Sequence, residues 1–462
     1  MNYRFKKNNL ALIRFVLKVM NSIRAYLKNR FDAINNNKLK QNLLNAIPFW
    51  VGALLTGVVA VIYAKLFVLA EEGTAYLFHL DKRLFFILTP ICFVAAWALV
   101  NKYAPYARGS GIPQVSASIE LANPKKYAIV SKFLSFRVIL VKIVSSLIMV
   151  FGGGAVGREG PTIQIAGSIF KKINDLLPEW YPKISKKNML ITGAASGLAA
   201  AFNTPLGGIV FAIEELTKTH FSYFKSALIT GVIIAGLTAL NILGPYLYLG
   251  YPKVNNLSWW IIFPVILVAI LSGYLGCLMT RFILYVLRKK SFLKTNVSKI
   301  GYCLAGGLLI ALMGVFISME TFGTGKEIMQ QILLTDQKYT EWYTPVLRFL
   351  GPVISFTNGG AGGVFAPALS AGASIGSVVS AFFELHHSNA NLIILCGMVA
   401  FLTGVTRSPF TSAILVLEMT TAESIIFYLM MAGLTANLIA TLASKHSFYD
   451  QLKEQYLKEV DA

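Results

Sequence analysis

The sequence predicts an all-α polytopic membrane protein made of two repeats whose helices are broken inside the membrane. Three observations lead there. The chain has 462 residues, 55% hydrophobic and only 14% charged, with a mean hydropathy of +0.62; a soluble chain carries about 25% charged residues. Stretches without Asp, Glu, Lys or Arg recur at 41–64, 84–101, 188–213, 226–252, 254–280, 300–319, 349–383 and 424–444, each near or above the length that suggests a bilayer crossing. Finally, three Gly-rich breaks end at a proline: Gly109-Ser110-Gly111-Ile112-Pro113, Gly157-Arg158-Glu159-Gly160-Pro161 and Gly362-Gly363-Val364-Phe365-Ala366-Pro367. Glycine frees the backbone and proline is tolerated in a first helical turn, so each break reads as a helix N-terminus inside the membrane.

Residues 1–45 read as a basic cytoplasmic segment. Arg14, Lys18, Arg24 and Lys28 recur at helical spacing among apolar residues, which predicts a basic amphipathic helix over 8–28 lying on the membrane surface. Arg14 and Lys18 interrupt any signal-peptide core. Spans follow at about 46–70 and 84–101, then the Ser110 segment, too short to cross. A span at 132–149 leads to the Glu159 break and a helix over 161–175. Residues 188–203 are rich in Ala and Gly, Pro205 restarts a helix ending near Glu214-Glu215, and 222–250 form a long span. The second half has spans at 258–287, 299–319 and 341–358, then the Phe365 break, 388–404, 409–419 and 424–444. This divides the chain into a first membrane repeat over 46–252, a second over 253–450 and a short tail over 451–462. The net charge of +21 gathers in clusters beside the spans, such as Lys183/Lys186/Lys187 and Arg288/Lys289/Lys290. Such clusters mark cytoplasmic loops and give no support for a nucleic-acid partner.

The two halves match. Gly157 precedes Pro161 by four, and Gly193, Pro205 and Glu214 follow at spacings of twelve and nine; Gly363 precedes Pro367 by four, and Gly397, Pro409 and Glu418 follow at the same spacings. An internal duplication accounts for this order. Broken helices at corresponding points of two halves mark a transporter's binding site, and an inverted arrangement would bring both breaks to one midplane.

The breaks define the chemistry. Ser110 offers a hydroxyl, and the Gly157–Gly160 and Gly363–Phe365 stretches offer backbone N–H groups, a donor set that suits an anion held weakly enough to leave. Neither the Ser110 nor the Phe365 break contains a lysine. Glu159 is a carboxylate at membrane depth, where a charge is costly and marks function. Ionised, it competes with an anion for the site; protonated, it is neutral and leaves. The alternative is a structural carboxylate paired with Arg158. Glu214 and Glu215 end an apolar segment. They read either as a solvated helix end, with Glu214 holding nearby backbone, or as the inner end of a proton route. Glu418 is the repeat counterpart of Glu214, which favours a structural role for that pair and sets Glu215 apart.

Other chemistries lack support. Gly323-Thr324-Gly325-Lys326 resembles a phosphate loop, but Glu327 stands where Ser or Thr is required. Cys92, Cys277, Cys303 and Cys396 are isolated in apolar runs, and the adjacent His386-His387 pair does not share a helix face. No metal site, cofactor or enzymatic motif is expected.

From about residue 48 to 450 the chain resembles the CLC family of chloride channels and chloride/proton exchangers, through GSGIP at 109–113, GREGP at 157–161, GGVFAP at 362–367 and Tyr449 in HSFYD. The resemblance implies two inverted structural repeats of tilted and broken helices. It implies a homodimer with one pathway per subunit, in a bacterial inner membrane with both termini cytoplasmic. It implies chloride held by the Ser110 and Tyr449 hydroxyls and the amides of Val364 and Phe365. Gly109, Gly111, Ile112, Gly157, Arg158, Gly160 and Gly363 would supply supporting backbone. Glu159 is similar to the gating glutamate and Glu215 to the internal proton-transfer glutamate of exchangers. Keeping both points to a chloride/proton antiporter, with a passive chloride channel and a transporter of another anion as alternatives. Ser110 stands where nitrate-preferring relatives carry proline. Gln114 and Ser116 replace acids frequent in relatives, and a change of surface charge near the pathway is expected there. The short stretch after Tyr449 implies a bacterial type without nucleotide-binding regulatory domains.

Overall fold

The structure, a computed structural model, describes residues 36–217, 225–244, 247–255, 257–420 and 423–461, with positions 22, 25, 28, 31 and 32. The basic helix expected over 8–28 therefore lies almost wholly outside the described residues. Among those described there is no strand, and nine helices are long and apolar enough to cross a membrane. The chain is an integral membrane protein.

In the first half, α1 (Asn37–Leu80) and α2 (Phe85–Tyr103) precede the short α3 (Ile112–Glu120), α4 (Tyr127–Phe133) and α5 (Phe136–Phe151). Next come α6 (Glu159–Leu176), α7 (Lys186–Phe202), α8 (Pro205–Phe211) and α9 (Lys225–Leu243). The second half comprises α10 (Ile262–Lys290), α11 (Asn296–Phe316), α12 (Lys326–Leu334), α13 (Thr344–Thr357), α14 (Phe365–Phe382), α15 (His387–Thr406), α16 (Pro409–Thr420) and α17 (Ile426–Ala443). Helix α18 (Phe448–Asp461) follows. The first span is longer than its charge-free run predicts, because α1 continues through polar residues at both ends and is capped by the Asn36 side chain. The boundary expected at residue 450 falls inside α18.

The repeat organises the packing. Helices α6 and α7 pack along each other, as do their counterparts α14 and α15. Small residues allow the approach: a Cβ on Gly197 would press on Ala166 and the α6 backbone, and one on Gly376 would meet the Ile394 backbone at 2.7 Å. The apolar windows of α14 and α15 are 83% and 94% buried, against 33–50% for the other spans. Polypeptide therefore surrounds the central helices, while the outer spans turn their exposed Leu, Ile and Phe to lipid. Helices α8 and α16, which both begin at a proline, also pack together.

The correspondence of the halves is visible in reciprocal hydrogen bonds. The Glu418 carboxylate accepts from the N–H groups of Leu206 and Gly207 at 3.0 and 2.7 Å, capping α8. Its counterpart Glu214 accepts from Phe410 and Thr411 at 3.3 and 2.7 Å, capping α16. Each half supplies a carboxylate that satisfies the other half's orphan helix donors, the best place for a negative charge.

Candidate anion and proton pathway

The three sequence breaks meet. Gly157 and Gly363, the matching glycines of the repeats, exchange two backbone hydrogen bonds of 2.8 Å each. The Gly109 N–H donates to Gly360 O at 2.8 Å and its carbonyl accepts from Gly362 N at 3.0 Å. This joins the Ser110 break to the Phe365 break. Helix α3 starts after Gly111, whose φ of 110° suits glycine alone, and a side chain there would strike Gly160 O and Gln164. A Cβ on Gly160 would collide with the Ser110 hydroxyl. The first turns of α3, α6 and α14 thus converge, and the first N–H groups of any helix lack partners within it.

Buried polar side chains line this convergence. Ser110, Glu159 and Tyr449 are 1%, 0% and 2% exposed. The Ser110 Oγ, both Glu159 carboxylate oxygens and the Tyr449 hydroxyl make no hydrogen bond of ordinary geometry within the protein. The Tyr449 hydroxyl faces that of Ser110 and lies within electrostatic reach of Glu159 and Glu215. The Glu159 carboxylate faces its own N–H and that of Ala366, at the starts of α6 and α14. Buried polar atoms are nearly always satisfied, so four orphaned oxygens beside three helix N-termini are the mark of a ligand site. Val364 and Phe365 are buried where α14 begins, with Ala368 N–H donating to Val364 O at 2.9 Å. Arg158 is the residue before α6 and is buried.

Glu215 lies apart, in a wide π-type turn over Ala212–Leu216 that also holds Glu214. Such turns are rare and often functional. The Ser408 hydroxyl, immediately before α16, donates to Glu215 at 2.8 Å. Tyr449 is within electrostatic reach of both acids. A separate cavity of about 320 Å³ is lined by Glu71, Glu320, Thr324, Lys326, Glu327 and Gln330, among others. Glu71 from this lining is within electrostatic reach of Glu159.

Lys142 escaped the sequence reading, and Lys290, read only as part of a basic loop cluster, has a further role. The fully buried Lys142 of α5 donates to Ala107 O at 2.9 Å and Gly109 O at 2.7 Å. Lys290, ending α10, donates to Thr357 O and Asn358 O at 2.7 and 2.6 Å. Both breaks therefore have a lysine behind them, supplied by another helix and holding carbonyls of the backbone. A lone lysine within an apolar span was the available signal for Lys142. Gln114 corrects a second expectation. Its side chain is buried and donates to Tyr106 O and Arg108 O, so it packs the loop before Ser110 and does not alter surface charge. Ser116 is half-buried.

Comparison with known proteins matches residues 91–441 to the family model described as voltage gated chloride channel. The chain belongs to the voltage-gated chloride channel family. Among similar relatives is the H(+)/Cl(-) exchange transporter ClcA of Klebsiella pneumoniae subsp. pneumoniae, 30% identical over 401 residues, covering 83% of this chain and 81% of the relative. The protein of that name from Citrobacter koseri is 30% identical over 390 residues, with coverage of 82% and 80%. The fold of this chloride channel family member is shared with a slow cyanobacterial Cl-/H+ antiporter at TM-score 0.79 and 22% identity, covering 91% of this chain and 99% of the other. A CLC-type fluoride/proton antiporter aligns at TM-score 0.74 and 18% identity, covering 90% and 98%.

Proposed function

We propose that this protein is a chloride/proton antiporter. Chloride is held by the Ser110 and Tyr449 hydroxyls and the N–H groups of Val364 and Phe365. Backbone at Gly109, Gly111, Ile112, Gly157, Arg158, Gly160 and Gly363 shapes the site. Glu159 gates it: as a carboxylate it occupies the anion's place, and on taking a proton it releases the place to chloride. Glu215 passes protons to and from the opposite face. The observation that supports this most is the group of orphaned oxygens on Ser110, Glu159 and Tyr449. Two hydroxyl donors beside helix N-termini favour an anion, and a carboxylate in the same group can be accommodated only if it alternates with that anion.

Family membership supports the rest of the reading. The protein works as a homodimer with one pathway per subunit, in a bacterial inner membrane with both termini cytoplasmic. The repeats occupy 46–252 and 253–450, flanked by cytoplasmic segments at 1–45 and 451–462. The test is transport by the purified protein in liposomes. An imposed chloride gradient is expected to drive protons uphill; chloride flux with no proton movement would leave a passive channel. Ser110→Pro is expected to shift preference toward nitrate, and unchanged selectivity would remove Ser110 from the ligand set.

A further inference from the structure

The basic end of α10 carries Leu278, Arg281, Tyr285 and Arg288 at spacings of three, four and three residues, and all four are exposed. That spacing is one helix face. Together with the end of α17 and the first turn of α18 it encloses a cavity of about 620 Å³, lined also by Phe282, Ser444 and Gln451. None of the lining residues is acidic. Among the described residues no salt bridge joins Arg281 or Arg288 to an acid. Arg281 precedes the helix end at Lys290 by nine residues, about 13 Å at the helical rise. An exposed guanidinium at that depth is costly unless it meets an anion. Its recorded protein partner is Ala443 O at 3.2 Å, which uses one of five N–H donors.

We propose that this cavity binds the headgroup of an anionic phospholipid. The forked guanidinium matches two phosphate oxygens, and Arg288 adds a second cation about two turns nearer the helix end. Leu278, Phe282 and Tyr285 give an acyl chain an apolar wall, the arrangement expected of a basic pocket between transmembrane helices. The site reaches the pathway through the chain: Ser444 and Gln451 flank the turn that delivers Tyr449, with Gln451 N–H donating to Ser447 O at 3.2 Å. A lipid seated there steadies that turn, so anionic lipid raises transport rate. Binding itself is independent of the antiport reading; only this effect on flux rests on it.

The experiment uses purified full-length protein and two readouts. Native mass spectrometry compares retention of phosphatidylglycerol and phosphatidylcholine. Chloride flux is compared in liposomes of phosphatidylcholine alone and of equal parts of the two lipids. Wild type is expected to retain phosphatidylglycerol selectively. Arg281→Gln with Arg288→Gln is expected to weaken that retention roughly 30-fold, from the ordinary contribution of two surface cations. Leu278→Trp crowds the apolar wall of the cavity with both arginines in place and is expected to weaken lipid retention too. Lys183→Gln with Lys187→Gln, an exposed basic pair elsewhere, is expected to keep it. Wild-type retention by both cavity variants, or equal displacement of the lipid by soluble glycerol phosphate, overturns the proposal. Lost retention with flux still indifferent to phosphatidylglycerol keeps the site and overturns its link to Tyr449.

Discussion

The break at Gly157–Glu159 and the break at Gly363–Phe365 are the same structure made twice. Their matching glycines exchange equal hydrogen bonds, each leads into a buried helix, and each helix packs on its equivalent partner. They differ in the residues after the glycine: Arg158-Glu159 in the first half, Val364-Phe365 in the second. The same contrast recurs further along. Glu214 and Glu418 correspond and cap each other's helices, whereas Glu215 corresponds to Met419. Duplication supplied the frame, and the two acids proposed for proton transfer are the places where the halves diverge. Symmetric residues hold the fold; asymmetric ones are those proposed to carry the coupling.

This contrast can be broken by substitution. The largest expected effect is that of Glu159→Gln: proton transport is abolished while chloride flux persists, read with chloride and pH electrodes on liposomes. Proton movement that survived would detach the gate from residue 159. Glu215→Met gives the first half the second half's residue, and is expected to end proton movement while sparing chloride. Retained coupling would remove Glu215 from the route.

The glycines should prove unequal despite their symmetry. A Cβ on Gly157 would collide with the Glu159 carboxylate, whereas one on Gly363 meets its nearest neighbour, Gly160 N, at 3.4 Å. Gly157→Ala is thus expected to displace the gate and change chloride turnover severalfold, with Gly363→Ala close to wild type in the same flux assay. The smallest effects belong to the symmetric acids. Glu214→Ala and Glu418→Ala are each expected to cost about 1–2 kcal/mol, the ordinary loss of a helix cap. Both should lower the thermal midpoint in detergent by similar amounts, and a large change in proton coupling for either would contradict a purely structural role.

Much of this was legible in the sequence because glycine and proline announce broken helices and spacing announces a duplication. Ser110, Glu159 and the three Gly-rich breaks stood out for local reasons. The fold-level consequences of Glu214 and Glu418 were visible only as a correspondence, since their partners lie 196 to 212 residues away. The roles of Lys142 and Lys290 were hidden for a related reason: the carbonyls they hold belong to loops brought beside them by packing. Gln114 misled because its charge state was readable and its burial was not. A linear pattern reports what a residue does to its own helix, and these residues act on another one.

The joint between Gly157 and Gly363 is made entirely of main chain. No side chain contributes to its hydrogen bonds, so they survive an exchange of side chain wherever a Cβ has room; proline is excluded because it lacks the donor, and a side chain at Gly157 because a Cβ there meets Glu159. The side-chain-bearing residues beside that seam are consequently freer to drift than Gly157, whose neighbours leave no room for a Cβ. A lineage could retune which halide passes, or whether passage is powered, one codon at a time without ever unpicking the architecture.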